Sequence, residues 1–195
     1  MRPLECWFEF ASTYSYLAVM RVEAACAAHG VLLVWRPFLL GPVFAAQGLT
    51  DSPFNIYPAK GRYMWDDMAR CCAAQGLAWQ QPSVFPRGSL LAARIAAGHA
   101  DAPWIGGFIR AVYTANFAED RDIGDDAVIA AILAELGQDA EAVAARALTP
   151  EVKAALRAQT EAAQARGVFG APTFTVGEDL FWGNDRLEMA LEAAG

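Results

Sequence analysis

With 195 residues, 55% of them hydrophobic and 19% charged, the chain has room for one globular domain, or one with a sizeable insertion, and enough apolar surface to fold alone. Fifteen basic against twenty-two acidic residues leave a net charge of -7, the wrong sign for neutralising nucleic-acid phosphates, so DNA and RNA binding are disfavoured. Arg36, Pro37, Gly41 and Pro42 interrupt the apolar stretch from Val31 to Ala46, which excludes it as a membrane span.

In chain order, Leu4 to Phe10 is aromatic-rich and reads as a strand. The hydroxyl-bearing run Ser12-Thr13-Tyr14-Ser15 then leads into a helix over Tyr16 to Ala28, stopped by Gly30. Val31 to Phe38 is a nearly continuous apolar run, as in a strand covered on both faces, and completes a βαβ unit. From Gly41 to about Arg166 the composition turns alanine- and leucine-rich, with breaks at Pro53, Pro58, Pro82, Pro86, Pro103 and Pro150. Helices are predicted near Gly61 to Gln75, Ser89 to Ala97, Pro103 to Phe117, Asp125 to Leu136, Ala140 to Ala147 and Pro150 to Arg166. Asp125 and Thr149 are the expected N-caps, the latter with Pro150 in the first helical position. After Gly170, Thr173 to Val176 and Leu180 to Trp182 read as a hairpin around Gly177-Glu178-Asp179, and Arg186 to Ala194 as a closing helix. The fold class is α/β, with residues 1–40 and 167–195 sharing one sheet and 41–166 forming an inserted helical unit.

Cys6, Cys26, Cys71 and Cys72 form no C-x-x-C pair and are expected as reduced, buried thiols. With Glu5 and Glu9 inside the first apolar stretch and no small-residue cleavage pattern, the N-terminus does not read as a secretory signal, so a cytoplasmic location is expected. His29 and His99 have no second ligand at metal spacing and read as surface loop residues, and no metal is expected. Cys71 and Cys72 with Met64, Trp65 and Met68 read as core or interface packing; Arg62, Arg70, Arg87, Arg94 and Arg110 read as a solvated helix face, with binding of a substrate carboxylate as the alternative.

Three places carry candidate chemistry. Ser12 stands where a strand enters a helix, where free amides favour an anion by about 0.3–1 kcal/mol; the alternative is that Ser12 and Ser15 only cap the helix. At Phe169-Gly170-Ala171-Pro172-Thr173, a cis Ala171-Pro172 bond leaves the Ala171 N–H and C=O open to an extended peptide; an ordinary trans proline opening a strand is the alternative. At Trp182-Gly183-Asn184-Asp185-Arg186, backbone amides and the Asn184 and Asp185 side chains suit a zwitterionic ligand, or Asn184 or Asp185 caps the last helix.

Together these occur in the order expected of a thioredoxin-like glutathione site. Phe8-Glu9-Phe10-Ala11-Ser12-Thr13-Tyr14-Ser15-Tyr16-Leu17-Ala18, Pro58-Ala59-Lys60-Gly61-Arg62-Tyr63, Gly167-Val168-Phe169-Gly170-Ala171-Pro172-Thr173 and Trp182-Gly183-Asn184-Asp185-Arg186 resemble the 2-hydroxychromene-2-carboxylate isomerase family, close to the kappa-class glutathione transferases in the DsbA-like thioredoxin group. The resemblance spans essentially the whole chain. It implies a thioredoxin-like fold with a large all-helical insertion, a homodimer, glutathione as an unconsumed cofactor, and a small aromatic 2-oxo acid as substrate. By the same match Ser12 contacts the glutathione sulfur, Ala171 and Pro172 meet its cysteinyl backbone, and Trp182, Gly183, Asn184 and Asp185 hold its γ-glutamyl end. Asn55, Ile56 and Phe85 fall where the family meets the aromatic substrate, and Lys60 and Tyr63 where either ligand is reached. Glu9, Thr13 and Ala171 replace the Asp, Pro and Val common in the family, changes that leave backbone roles intact and bear on pocket shape.

The chemistry is consistent with this likeness. Rotation about a carbon-carbon double bond requires that bond to become transiently single, which reversible thiolate addition to a conjugated carbonyl achieves. Ser12 is expected as a hydrogen-bond donor to the thiolate, and without cysteine at positions 12 and 15 dithiol exchange there is excluded. A kappa-like transferase and a non-catalytic glutathione- or peptide-binding module are the alternatives.

Overall fold

The computed structural model describes residues 2–195. Four strands, β1 (Leu4–Phe8), β2 (Leu33–Pro37), β3 (Thr173–Val176) and β4 (Asp179–Trp182), form one mixed sheet in the order β2-β1-β3-β4. β1 runs parallel to β2, with Leu4 opposite Leu33, and antiparallel to β3, with Cys6 opposite Phe174. β3 and β4 close an antiparallel hairpin. Strands distant in sequence thus become neighbours, and the chain between them, from 40 to 165, is helical: α3 (Leu40–Ala46), α4 (Pro53–Ile56), α5 (Pro58–Gln75), α6 (Leu90–Gly98), α7 (Ile105–Phe117), α8 (Asp126–Glu135), α9 (Ala140–Ala147) and α10 (Pro150–Ala165).

Alternation along β1 sorts the core, because successive side chains leave a strand on opposite faces. Leu4, Cys6 and Phe8 join the large apolar cluster, whereas Trp7 joins a smaller one with Phe38, Val43, Ala163 and Val168. Trp7 donates its indole N–H to Thr175 Oγ1 at 2.9 Å, which satisfies a buried donor. Phe8, Phe10, Tyr16, Tyr113 and Phe117 pack ring to ring at centroid separations of 5.3–6.4 Å, joining the end of β1 to α7. Such pairs contribute roughly 0.5–1.5 kcal/mol each beyond simple burial.

The first strand ends two residues earlier than expected, and the single helix over Tyr16 to Ala28 is two: α1 (Thr13–Val19) and α2 (Val22–His29). At the corner between them, Arg21 donates through Nη2 to Asn184 O at 2.6 Å and through Nε to Asn184 Oδ1 at 3.2 Å, and pairs with Glu188. Prolines read as breaks prove to be starts. Pro53 and Pro58 occupy first-turn positions of α4 and α5, where the missing N–H costs nothing, and Ser52 caps α4 by accepting from Phe54 N. The expected caps at Asp125 and Thr149 are present, accepting from Ala127 N and Val152 N. After β4, a 3-10 turn (Asn184–Arg186) leads into α11 (Leu187–Ala194).

The histidines depart from surface loops in different ways: His29 is exposed but ends α2, and His99 lies in the turn after α6 but is half-buried, its ring 5.0 Å from that of Trp104. Arg87 also departs from the solvated face expected of it. Its side chain is 4% exposed, and its guanidinium donates to Asn116 Oδ1 at 3.1 Å, to Ser83 Oγ at 3.2 Å and to Asp120. Those bonds pin the irregular segment between α5 and α6 to the end of α7. No helix is long and apolar enough to cross a membrane among the described residues.

Candidate functional site

Ser12 caps α1. Its extended backbone (φ -76°, ψ 117°) turns the chain from the sheet into the helix, and its Oγ accepts from Ser15 N at 3.3 Å. The same hydroxyl donates to Ala171 O at 2.9 Å, across 159 residues of sequence. The backbone ahead of it is held from α7: Tyr113 donates its hydroxyl to Glu9 O at 2.6 Å and Asn116 Nδ2 donates to Phe10 O at 3.2 Å. Ser12 N–H donates to Glu9 O at 2.9 Å. A residue whose backbone is fixed this way holds its hydroxyl oxygen in one place, while the O–H can still rotate.

The Ala171–Pro172 peptide is cis, as is Phe85–Pro86. The Ala171 N–H meets no backbone acceptor among the described residues, but its carbonyl is not free as expected, because Ser12 occupies it. Next to it, Trp182 at the end of β4 covers Gly170: a Cβ at Gly170 would come within 2.7 Å of Trp182 Nε1. The indole packs on Phe169 with centroids 4.9 Å apart and remains 53% exposed. Gly183 takes φ 111°, a conformation that disfavours side chains, and so swings the chain into the turn bearing Asn184 and Asp185. Neither side chain caps α11. Asn184 spends its carbonyl oxygens on Arg21, and Asp185 pairs with Arg186 at 2.9 Å.

These parts line one open cavity of about 1650 Å³. It exceeds the few hundred to about a thousand Å³ usual for one small ligand, so it has room for two. Ser12, Lys60, Tyr63, Phe85, Ala171, Pro172, Trp182, Gly183, Asn184 and Asp185 all border it. Asn55 and Ile56 do not; Pro53 and Phe54 form that stretch of wall instead. α4 makes a single turn, which puts Asn55 outside, where its Nδ2 donates to Asp51 Oδ2 at 3.0 Å and to Phe85 O at 3.3 Å. Phe85 stands edge-on to Trp65 at 4.9 Å, and Lys60 Nζ lies 4.9 Å from the Tyr57 ring centroid.

Several cavity residues were not anticipated. Asp67 and Cys71 follow Lys60 and Tyr63 along one stripe of α5, a spacing of 3, 4 and 4 legible in the sequence once the helix is placed. Tyr14 donates its hydroxyl to Asp67 Oδ2 at 3.0 Å. Burial, and then the Asp67 carboxylate, raise the Cys71 thiol above its ordinary value, which disfavours the reactive thiolate. Cys71 is therefore half-buried at the cavity, whereas Cys72, Met64 and Met68 are core as expected. Glu9, expected only to bear on pocket shape, Arg87, expected chiefly on a solvated face, and Ser89, which no motif marks, border the cavity as well. Burial pushes the Glu9 carboxyl up to about 7, against the opposing hydrogen bonds from Ser89 and Ala11.

The model of the DSBA-like thioredoxin domain matches residues 3–194. The chain belongs to this family. A 2-hydroxychromene-2-carboxylate isomerase of Sphingobium xenophagum is 27% identical over 193 residues, covering 96% of this chain and 95% of the relative. Human glutathione S-transferase kappa 1 is 26% identical over 211 residues, covering 100% and 91%. The solved structure of a 2-hydroxychromene-2-carboxylate isomerase superposes with a TM-score of 0.85 at 25% identity, covering 97% of this chain and 93% of that one. The thioredoxin-like fold class expected from the sequence, α/β with a helical insertion, is the one found.

Proposed function

We propose that this DSBA-like protein is a glutathione-dependent isomerase interconverting a 2-hydroxychromene-2-carboxylate with its open-chain benzylidenepyruvate, as in the breakdown of aromatic hydrocarbons. The observation that carries the reading is the Ser12 hydroxyl at the head of α1, in hydrogen-bond contact with the residue before a cis proline and in one cavity with Trp182 to Asp185. Relatives over the whole length bearing the isomerase name support it. The residues present fit a tripeptide thiol: the Ala171 N–H stands ready beside the hydroxyl for an extended backbone, and the Asp185 carboxylate for an ammonium.

Bound glutathione supplies a thiolate, whose reversible addition to the conjugated carbonyl makes the double bond single long enough to rotate. The task of Ser12 is to donate a hydrogen bond toward the sulfur position, which requires its O–H to turn from Ala171 O into the cavity. Lys60 offers the substrate carboxylate a cation, with Tyr63 and Phe85 as aromatic wall. Among the described residues no histidine lines the cavity, so Ser12 lacks the base a hydrolytic nucleophile needs.

The human kappa-class relative favours a second reading, in which the protein conjugates glutathione to electrophiles. Mass spectrometry of the products separates the two. An unmodified isomer formed only with catalytic glutathione is the expected result; a stable glutathione adduct would establish the transferase instead, and no turnover in either assay would leave a binding module.

A further inference from the structure

Glu9 borders the same cavity as Ser12, yet the roles above give it nothing to do. Its side chain is buried, with Oε2 accepting from Ala11 N at 3.0 Å and Oε1 from the Ser89 hydroxyl at 2.5 Å. Among the described residues it takes part in no ion pair. The charged and titratable groups around it do not change this. From α7, Tyr113 bonds to its backbone oxygen and is kept protonated by burial; Cys6 on β1 is likewise protonated. From the segment before α6, Arg87 reaches the same cavity wall, but its guanidinium is held by Asn116, Asp120 and Ser83. Glu9 is thus a buried carboxyl without a cation, and burial alone keeps its proton affinity near neutrality.

Its carboxylate is bonded to the N–H of Ala11, the residue before Ser12, and both residues border one cavity, so a negative sulfur at Ser12 and a negative, buried Glu9 would stand on the same wall. Like charges in such a place titrate as a pair, with one proton shared between them. We propose that Glu9 takes up the thiol proton when glutathione settles at Ser12. The S–H bond breaks with its electron pair left on sulfur, an O–H bond forms on the Glu9 carboxylate, and nothing is oxidised or reduced. This rests on the glutathione reading above and adds to it where the proton goes.

Calorimetric titration of the protein with glutathione at pH 7.5, repeated in buffers of different ionisation heat, counts the protons released. The free thiol, with a pKa of about 8.5, is then mostly protonated. Wild type should release only a small fraction of a proton per site, and Glu9→Gln close to one. Equal release by both would overturn the proposal, whereas no binding by wild type would overturn the glutathione reading and this step with it. A second measurement needs no variant. Infrared difference spectra of wild type should gain a protonated-carboxyl C=O band on adding glutathione but not S-methylglutathione, which has no thiol proton; no gain, or the same gain with both, refutes the transfer.

Discussion

Replacing Glu9 by Gln keeps the shape of the side chain and removes its charge. The amide oxygen can still accept from Ala11 N, and the Ser89 hydroxyl can rotate to accept from the amide N–H, so little packing is lost. In wild type the carboxyl moves from an ordinary value of 4.5 to about 7 on folding, chiefly because burial penalises the charged form. A folded-state value above the unfolded one means that the carboxyl's contribution is fully present below about pH 4.5, is lost as pH rises toward about 7, and is level beyond that. At about 1.4 kcal/mol per pH unit, the loss is roughly 3–4 kcal/mol. Glu9→Gln escapes it. Urea unfolding of both proteins at pH 5, 6, 7 and 8 should therefore show the variant gaining on wild type by an amount of that order, with most of the gain between pH 5 and 7. Parallel stability profiles would refute the reasoning, since they would mean that the carboxyl is solvated or paired in the folded protein.

Ser12→Ala should lower turnover by about 10²–10³, the scale of one lost hydrogen-bond donor to a developing anion, while the melt registers only the missing cap, about 1 kcal/mol. Gly61→Ala should destabilise by about 1–3 kcal/mol in thermal unfolding, because a Cβ there would lie 2.3 Å from the Phe54 carbonyl oxygen and backbone has to move. Gly41→Ala, within α3 and with nothing in 4 Å, should leave stability unchanged or raise it slightly under the same conditions. Gly170→Ala should displace the Trp182 indole, shifting tryptophan fluorescence and weakening glutathione binding by roughly tenfold.

The parts of the fold legible in the sequence were those with local causes. The capping hydroxyls at Ser12 and Thr149 and the alternation in Thr173 to Val176 declare themselves within a few residues. The corner at Met20 and Arg21 does not, for it has no Gly or Pro and exists because Arg21 reaches a turn 163 residues away. α3 and α4 are hidden when Pro42 and Pro53 are read as interruptions, unlike Pro150, although both sit in first turns where proline is welcome. In the candidate site, the residues carried by motifs came together, while Asn55 and Ile56, in the least constrained stretch, fell outside. Glu9, Arg87 and Ser89 owe their importance to burial and to partners on other elements. Arg87 in particular looks like any surface arginine until α7 supplies its acceptors.

Ser12 and Ala171 are separated by nearly the whole polypeptide, and β1 finds its antiparallel neighbour only in β3. During synthesis the hydroxyl emerges early, and the backbone it answers to emerges after every helix of the middle stretch. A ribosome-bound chain shorter than about residue 171 thus carries the first half of the pocket with nothing opposite it, and the central edge of β1 lies open until the hairpin arrives. Ligand can consequently favour only the finished molecule, and a shortage of it would act on mature protein while leaving nascent chains untouched.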